Sequence, residues 1–192
     1  MVRGFTDAEL LKKVKSLKTF EKIPSDYWIL GVRSKEDRYN EFDDKFYLFK
    51  GEQFVMVMSG TTNPGSTSLM NFESLGVKGA PVIVADKWYY NVWQRGMHKD
   101  KVIAYRQVGG FDVIRDTNKD KKSGNSGTSS VEFWKGLNFH PSDYDLNSKV
   151  KKTLINGWST GCQVVNDIPK YKQLMDLTKN QTKMSFCLIN EF

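Results

Sequence analysis

The sequence predicts a mainly β protein, α+β by element count, folded as a β-sandwich or barrel with one helix before the strands and one near the C-terminus. From Tyr27 onward, short runs of aromatic and β-branched residues alternate with clusters of Gly, Asn, Asp and Pro, a pattern typical of strands and turns. Helical periodicity is confined to the two ends. The length of 192 residues suits one compact domain.

The first element is an amphipathic helix. Thr6 and Glu9 have the spacing of a capping box, and the residue before Pro24 is driven out of the helical region, so we expect the helix to end before Pro24. The apolar residues that recur on one helical face are Leu10, Leu11, Val14 and Leu17. We therefore expect residues 1–24 to form an N-terminal helical segment and residues 25–192 a single domain.

The β-rich part contains nine candidate strands. They are Tyr27–Arg33, Lys45–Phe49, Phe54–Met58, Ala80–Ala85, Lys87–Trp93, Val102–Val108, Phe111–Arg115, Gly136–His140 and Met184–Ile189. The polar segment Asp116–Ser130 has few apolar groups to offset the entropy of ordering, so it is predicted to be a long mobile loop that either borders the site or is merely disordered. Asp167 caps a predicted helix with an apolar face of Ile168, Tyr171, Leu174 and Met175.

Charge and hydropathy limit the function classes. Lys and Arg outnumber Asp and Glu by 29 to 22, and the net charge of +7 favours anionic partners. The lysines are scattered and form no basic groove interleaved with aromatics, so no specific nucleic-acid partner is expected. Residues 1–5 contain no apolar segment of a signal peptide, and no run approaches the roughly 18 apolar residues of a membrane span. We expect synthesis in the cytoplasm and no membrane span.

The two cysteines are predicted to be free thiols, because a disulfide framework in a chain of this size normally has more cysteines. Cys187 lies in an apolar run and fits a buried small hydrophobe. Cys162 is flanked by small residues, and an imidazole such as His140 can take up its proton. Gly161 allows backbone amides to face a developing oxyanion. The alternatives are that Cys162 is a buried hydrophobe and that His140 is a satisfied strand-end histidine.

Further side chains are candidates for the same site. Ser159 and Thr160 have hydroxyl donors next to the cysteine, and His98 follows a strand end from which it can reach the cleft, unless it is a surface histidine in a turn. Arg33 and Arg115 can each bind a peptide carboxylate through two parallel hydrogen bonds, the alternative being structural pairs with nearby Asp residues. No metal-ligand spacing and no phosphate-binding or dinucleotide-binding glycine loop is present, so no cofactor or metal is expected.

Two segments carry a family resemblance. Gly-Leu-Asn-Phe-His-Pro ends at Pro141, and Cys162 follows His140 by 22 positions (162 minus 140) within Trp-Ser-Thr-Gly-Cys-Gln-Val-Val. This pattern resembles the signature of the L,D-transpeptidase (YkuD-like) family, with His140, Ser159, Gly161 and Cys162 matching in order. The chain departs from it at Thr160, where the family has a second histidine, at Pro141 in place of glycine, and at Gln163 to Val165 in place of a stretch containing arginine.

The wider chain is similar to a phage-associated branch of small proteins. The shared short motifs are Arg33-Ser34, Phe42-Asp43-Asp44, Thr61-Thr62-Asn63-Pro64-Gly65, Gly96-Met97-His98, Gln107 and Arg115-Asp116. The resemblance implies cysteine-dependent acyl transfer or hydrolysis on peptidoglycan stem peptides, with Cys162, His140 and Ser159 as catalytic residues. It also implies virion proteins as partners and delivery to the cell wall or periplasm. The alternative is a non-catalytic virion or wall-binding module that keeps the fold.

Overall fold

The computed structural model describes all 192 residues, in three helices, two short 3-10 turns and eleven strands. The helices are α1 (Asp7–Lys15), α2 (Ser66–Asn71) and α3 (Ile168–Leu177), and the 3-10 turns span Phe72–Leu75 and Asn156–Trp158. The strands are β1 (Tyr27–Arg33), β2 (Asp44–Lys50), β3 (Gln53–Thr61), β4 (Ala80–Ile83), β5 (Lys87–His98), β6 (Val102–Gln107), β7 (Phe111–Asp116), β8 (Ser129–Glu132), β9 (Phe139–Pro141), β10 (Gln163–Val165) and β11 (Lys183–Asn190).

Eight strands form a closed barrel in the order β1-β11-β5-β6-β9-β10-β3-β2, and β4-β7-β8 form a separate antiparallel sheet. The prediction of a mainly β, barrel-like fold with flanking helices is therefore confirmed. Two barrel pairs, β1 with β11 and β9 with β10, are parallel, and the others are antiparallel. None of the three helices has the length and apolar character needed to cross a membrane.

Alternation along the strands divides the core into an inner and an outer cluster. In β1, Ile29 belongs to the inner cluster, whereas Trp28 and Leu30 belong to the outer one, because successive side chains of a strand point to opposite faces. The inner cluster joins barrel strands, the second sheet and α3. The outer cluster buries Leu10 and Val14 of α1 against the barrel. Helix α1 therefore covers one outer face of the barrel.

Both predicted helices are present, with a difference in length for the first. The capping box is confirmed, since the Thr6 N–H donates to Glu9 Oε2 at 2.7 Å and the Glu9 N–H donates to Thr6 Oγ1 at 3.3 Å. Helix α1 ends at Lys15, well before Pro24, because the Ser16 N–H and hydroxyl both turn back to the Lys13 carbonyl. Helix α3 is capped by Asp167, and its buried residues are the predicted Ile168, Tyr171, Leu174 and Met175.

All nine predicted strands are present, β1 with the predicted bounds and the others with shifted ends, and the structure adds β8 and β10, as well as helix α2. The largest shift is in β5, which continues past the predicted end at Trp93 to His98. Strand β9 begins late, at Phe139, because Gly136 adopts a φ of +75° and the Asn138 N–H donates back to the Gly136 carbonyl. The prediction of a long mobile loop over Asp116–Ser130 was wrong at both ends, since β7 continues to Asp116 and β8 begins at Ser129. The Asp116 carboxylate stabilises the rest of the loop by accepting hydrogen bonds from a backbone N–H and a hydroxyl within it.

A buried carboxylate joins three of the barrel strands. Asp44, at the start of β2, accepts hydrogen bonds from the Ser34 N–H at 2.7 Å, the Thr62 N–H at 2.6 Å and the Thr62 hydroxyl at 2.8 Å. Arg33 donates to Thr62 Oγ1 at 2.9 Å and to the Ile83 carbonyl at 2.9 Å. Burial, together with the neighbouring Asp43, raises the pKa of Asp44 to about 6. Three of the short motifs noted in the sequence, those around Arg33, Asp44 and Thr62, therefore meet in one polar network, the Asp44 network.

Replacing Asp44 tests how much this network stabilises the barrel. Asp44→Asn places an amide N–H₂ against N–H donors and removes the charge-assisted hydrogen bonds, so we expect the free energy of unfolding to fall by about 2–4 kcal/mol. Urea denaturation followed by tryptophan fluorescence measures the change. The control is Glu52→Gln, an exposed carboxylate paired with Lys15, which we expect to change stability by less than ~1 kcal/mol. Equal losses in the two variants would contradict the prediction.

Candidate active site

The parallel pair of β9 and β10 brings the predicted nucleophile and base together. Val164 pairs with His140, and the Gln163 N–H donates to the Asn138 carbonyl at 2.8 Å, so Cys162 lies beside Asn138 at the start of the pair. Side chains two positions apart on a strand share a face. The register therefore directs Cys162, Asn138 and His140 to the same side of the barrel wall.

These side chains open into a cavity of about 340 Å³. Its lining comprises Met97, His98, Lys99, Asp100, Arg106, Gly136, Asn138, His140, Gly157, Trp158, Thr160 and Cys162. The cavity takes His98 to Asp100 from the hairpin between β5 and β6 and Thr160 from the segment before β10. The structure thus assembles Cys162, His140, His98 and Thr160, as the sequence predicted.

The Cys162 thiol is buried and bonded to the backbone. Its Sγ–H donates to the Gly136 carbonyl at 3.1 Å, with no hydrogen bond to either imidazole. Burial raises the pKa of the Cys162 thiol to about 11, opposed by the Asn138 N–H and by the charge of Lys99. The free Cys187 lies in the outer core cluster, where the sequence predicted a small buried hydrophobe.

The two histidines stack on each other. The centroids of the His98 and His140 rings are 4.0 Å apart, with an angle of 16° between their planes. His140 Nδ1 lies 2.9 Å from the Pro141 carbonyl, which can only accept, so Nδ1 carries the proton and Nε2 keeps its lone pair. Burial first, and then His98, lowers the pKa of His140 to about 3, and burial lowers the pKa of His98 to about 4. Both rings are therefore neutral at pH 7.

Asn138 orients the second imidazole. Asn138 Nδ2 lies 3.1 Å from His98 Nδ1, and an amide nitrogen is a donor, so His98 Nδ1 accepts and its proton resides on Nε2. This assignment follows from the orientation of the Asn138 amide, whose oxygen accepts from the Gln107 N–H at 2.9 Å. His98 consequently presents a ring N–H and His140 a ring lone pair.

Ser159 lies beneath the cavity and not in it. Its side chain is fully buried, its hydroxyl donates to the Cys162 carbonyl at 2.8 Å, and its oxygen accepts the Gly161 N–H at 3.2 Å. The Gly65 N–H donates to the Ser159 carbonyl at 2.9 Å. The predicted catalytic role for Ser159 is therefore corrected to a positioning role, because its hydroxyl is committed to the backbone around the cysteine.

Gly161 has no room for a side chain. It has a φ of +123°, and a Cβ atom there would lie 2.5 Å from Pro81 Cγ and 2.8 Å from the Pro81 carbonyl oxygen. The Gly161 N–H is already bonded to Ser159, so the backbone amides that the sequence predicted to face an oxyanion here are those of the residues beside Gly161. The amide N–H groups of Thr160 and Cys162 have no acceptor within the chain.

The structure places neither Arg33 nor Arg115 in the cavity. The Arg33 guanidinium donates its hydrogen bonds within the Asp44 network. The Arg115 guanidinium forms an ion pair with Glu132 and also donates to the Gly79 carbonyl. The cations that do line the cavity are Lys99 and Arg106. The sequence did not predict these two residues, because only the register of β5 with β6 places Arg106 on the same face of the sheet as His98. The one local signal was their place in the hairpin after Gly96-Met97-His98.

No group of three or more His, Cys, Asp or Glu side chains is arranged to hold a metal ion. Comparison of the chain with protein-family models, with curated proteins and with solved structures gave no match.

Substituting Gly161 tests whether the tight turn before the cysteine is required. Gly161→Ala forces a methyl group into Pro81 at a φ that L residues rarely adopt, so we expect a loss of about 2–4 kcal/mol in unfolding free energy. Urea denaturation is the measurement. Gly157→Ala is the matched control, because the nearest atom to its Cβ would be Thr67 Oγ1 at 3.7 Å, and we expect a change below ~1 kcal/mol. A stable Gly161→Ala variant would show that the turn can relax.

Proposed function

We propose that this protein is a cysteine-dependent acyltransferase or hydrolase of the L,D-transpeptidase type, acting on peptidoglycan stem peptides. The observation that carries the proposal is the parallel β9–β10 pair, from which Cys162 and His140 face one open cavity. The substrate class rests on the resemblance of the segments around His140 and Cys162 to the signature of that family. A second imidazole, His98, occupies the cavity although Thr160 replaces the second histidine of the signature.

The first half of the proposed reaction begins from a neutral pair. Because the thiol is protonated and His140 Nε2 has a free lone pair, the proton moves to His140 as Sγ bonds to the peptide carbonyl carbon. The carbonyl electron pair moves to oxygen. Collapse of this intermediate breaks the C–N bond, His140 returns the proton to the leaving amine, and a thioester on Cys162 remains.

The charge on the oxyanion needs donors. The Cys162 amide N–H has no acceptor within the chain, and the proton on His98 Nε2 is the other donor close to His140. The exposed Thr160 hydroxyl lines the same cavity. We assign the oxyanion to the Cys162 amide and His98, with Thr160 at the rim.

The second half resolves the thioester. An amine or a water molecule attacks the carbonyl carbon, His140 accepts a proton from it, and the C–S bond breaks as that proton returns to sulfur. An amine gives a cross-link, and water gives peptide cleavage. Delivery to the cell wall by a phage particle, with virion proteins as partners, is proposed on the sequence resemblance alone.

A non-catalytic wall-binding or virion module is the second candidate. It is favoured by the hydrogen bond from the Cys162 thiol to the Gly136 carbonyl and by the raised pKa of that thiol, about 11, because a resting thiol bonded to backbone is a poor nucleophile. Under this alternative, the cavity binds wall peptides without forming a covalent bond.

Intact-mass spectrometry after exposure to a disaccharide-tetrapeptide or a carbapenem separates the two candidates. We expect an adduct on the wild-type protein and on Cys187→Ala, the control for the other buried thiol, and none on Cys162→Ala. His140→Ala should slow adduct formation by about 10²–10⁴-fold, because the general base is removed. If no reagent modifies the wild-type protein, the binding-module proposal replaces the enzyme proposal.

The pH dependence of adduct formation tests the protonation states. A general base works when deprotonated, so its activity is lost only as the pH falls through its pKa, about 3 for His140 and about 4 for the neighbouring His98. We therefore expect the carbapenem acylation rate to vary by less than about twofold between pH 5.5 and 8. The rate is measured by mass spectrometry of samples quenched at successive times. A decline centred near pH 6.5 would indicate solvated imidazoles and contradict the buried pair.

A further inference from the structure

The cavity around Cys162 has two cations with no protein partner. Lys99 and Arg106 both line it, and neither forms an ion pair with any Asp or Glu of the chain. Arg106 also makes no side-chain hydrogen bond, in contrast to Arg33 and Arg115, whose guanidinium groups each make three. An unpaired guanidinium fork at a cavity wall is suited to a ligand carboxylate.

The formal charge of the cavity is positive. Asp100 is the one carboxylate in its lining, and it does not reach Lys99 or Arg106 within 4.0 Å. The two imidazoles are neutral at pH 7. Two cations against one anion therefore leave an excess of one positive charge in the lining of the cavity.

This positive charge shifts the pKa values of the cysteine and the two histidines in the cavity. Lys99 contributes to lowering the pKa of His98, His140 and Cys162, and Arg106 contributes to lowering that of His98. The same field that disfavours protonated imidazoles favours a thiolate and an anionic ligand. Arg106 also lines an adjoining cleft of about 280 Å³, together with the exposed Trp134. It therefore lies between the Cys162 cavity and this cleft.

We propose that Arg106, with Lys99, forms the carboxylate-binding subsite of this cavity, so that the protein selects acyl donors with a carboxylate close to the carbonyl that Cys162 attacks. The inference rests on the proposed function and specifies its substrate class. It assigns to Arg106 the task that the sequence assigned to Arg33 and Arg115. The planar guanidinium binds the carboxylate through two parallel hydrogen bonds, and the Lys99 ammonium adds a point charge.

The test uses two electrophiles that are nearly identical in shape, iodoacetate and iodoacetamide. Each forms an S–C bond to Cys162 with loss of iodide, and only iodoacetate has a carboxylate. Because both attack the same thiolate, the ratio of their rate constants cancels the thiol pKa. In a Cys187→Ala background, we expect the ratio for Cys162 to exceed that of free cysteine by about threefold to tenfold at low salt. The excess should shrink at 0.5 M salt, roughly as expected for screened charges.

Variants separate the subsite from general surface charge. Arg106→Gln and Lys99→Gln should each reduce the iodoacetate preference in part, and the double variant should reduce it to nearly that of free cysteine. Lys101→Gln is the matched control, because this lysine lies two residues from Lys99, packs over the Tyr144 ring and does not line the cavity. It should keep the wild-type ratio.

The outcomes distinguish a failure of the carboxylate subsite from a failure of the proposed function. If iodoacetamide alkylates Cys162 and the ratio is the same in the wild type, Arg106→Gln and Lys101→Gln, the carboxylate subsite is overturned and the reactive thiol stands. If neither reagent alkylates Cys162, the proposed function is overturned, and this inference fails with it.

Discussion

The parallel pairing of β9 with β10 is the constraint on which the rest of this structure depends. Both strands are three residues long, yet together they bridge β6 and β3 and complete the barrel. The same pairing places Cys162 beside Asn138 and on the side of His140. Stability and site geometry are therefore properties of one short contact, and a change that opens the barrel at this seam also separates Cys162 from His140.

The seam is held from below by polar groups that never enter the cavity. Gln163 of β10 contacts the carbonyls of Thr62 and Gly161, so the strand of the nucleophile is joined to the Asp44 network. The Ser159 hydroxyl donates to the Cys162 carbonyl and accepts from the Gly161 N–H, and the Gly65 N–H donates to the Ser159 carbonyl. Short motifs that are distant in the sequence are thus joined by hydrogen bonds to the backbone around Cys162. Buried hydrogen-bonded groups of this kind fix one geometry because any alternative leaves a polar atom unpaired.

Burial also decides the protonation states in the site. Desolvation favours the neutral form of each group, so it raises the pKa of the Cys162 thiol and lowers the pKa of both imidazoles. At neutral pH these shifts favour a neutral thiol beside neutral imidazoles over a thiolate–imidazolium pair. The positive charges of Lys99 and Arg106 lie at the opening, where an anionic ligand can neutralise them. Reactivity in such a site depends on what the ligand brings as well as on the residues present.

The sequence by itself determined the features that a few neighbouring residues encode. The capping box at Thr6, the buried face of α3, the β-rich middle and the candidacy of Cys162, His140 and His98 all follow from local spacing and residue type. The tertiary structure alone decided the pairing of Thr61 with Val164, the arrival of Arg106 at the cavity, the burial of Ser159 and the capture of Arg33 by Thr62. The physical reason is that helix faces and caps depend on contacts within a few residues, whereas barrel closure pairs residues about a hundred positions apart and leaves no periodic trace in the chain.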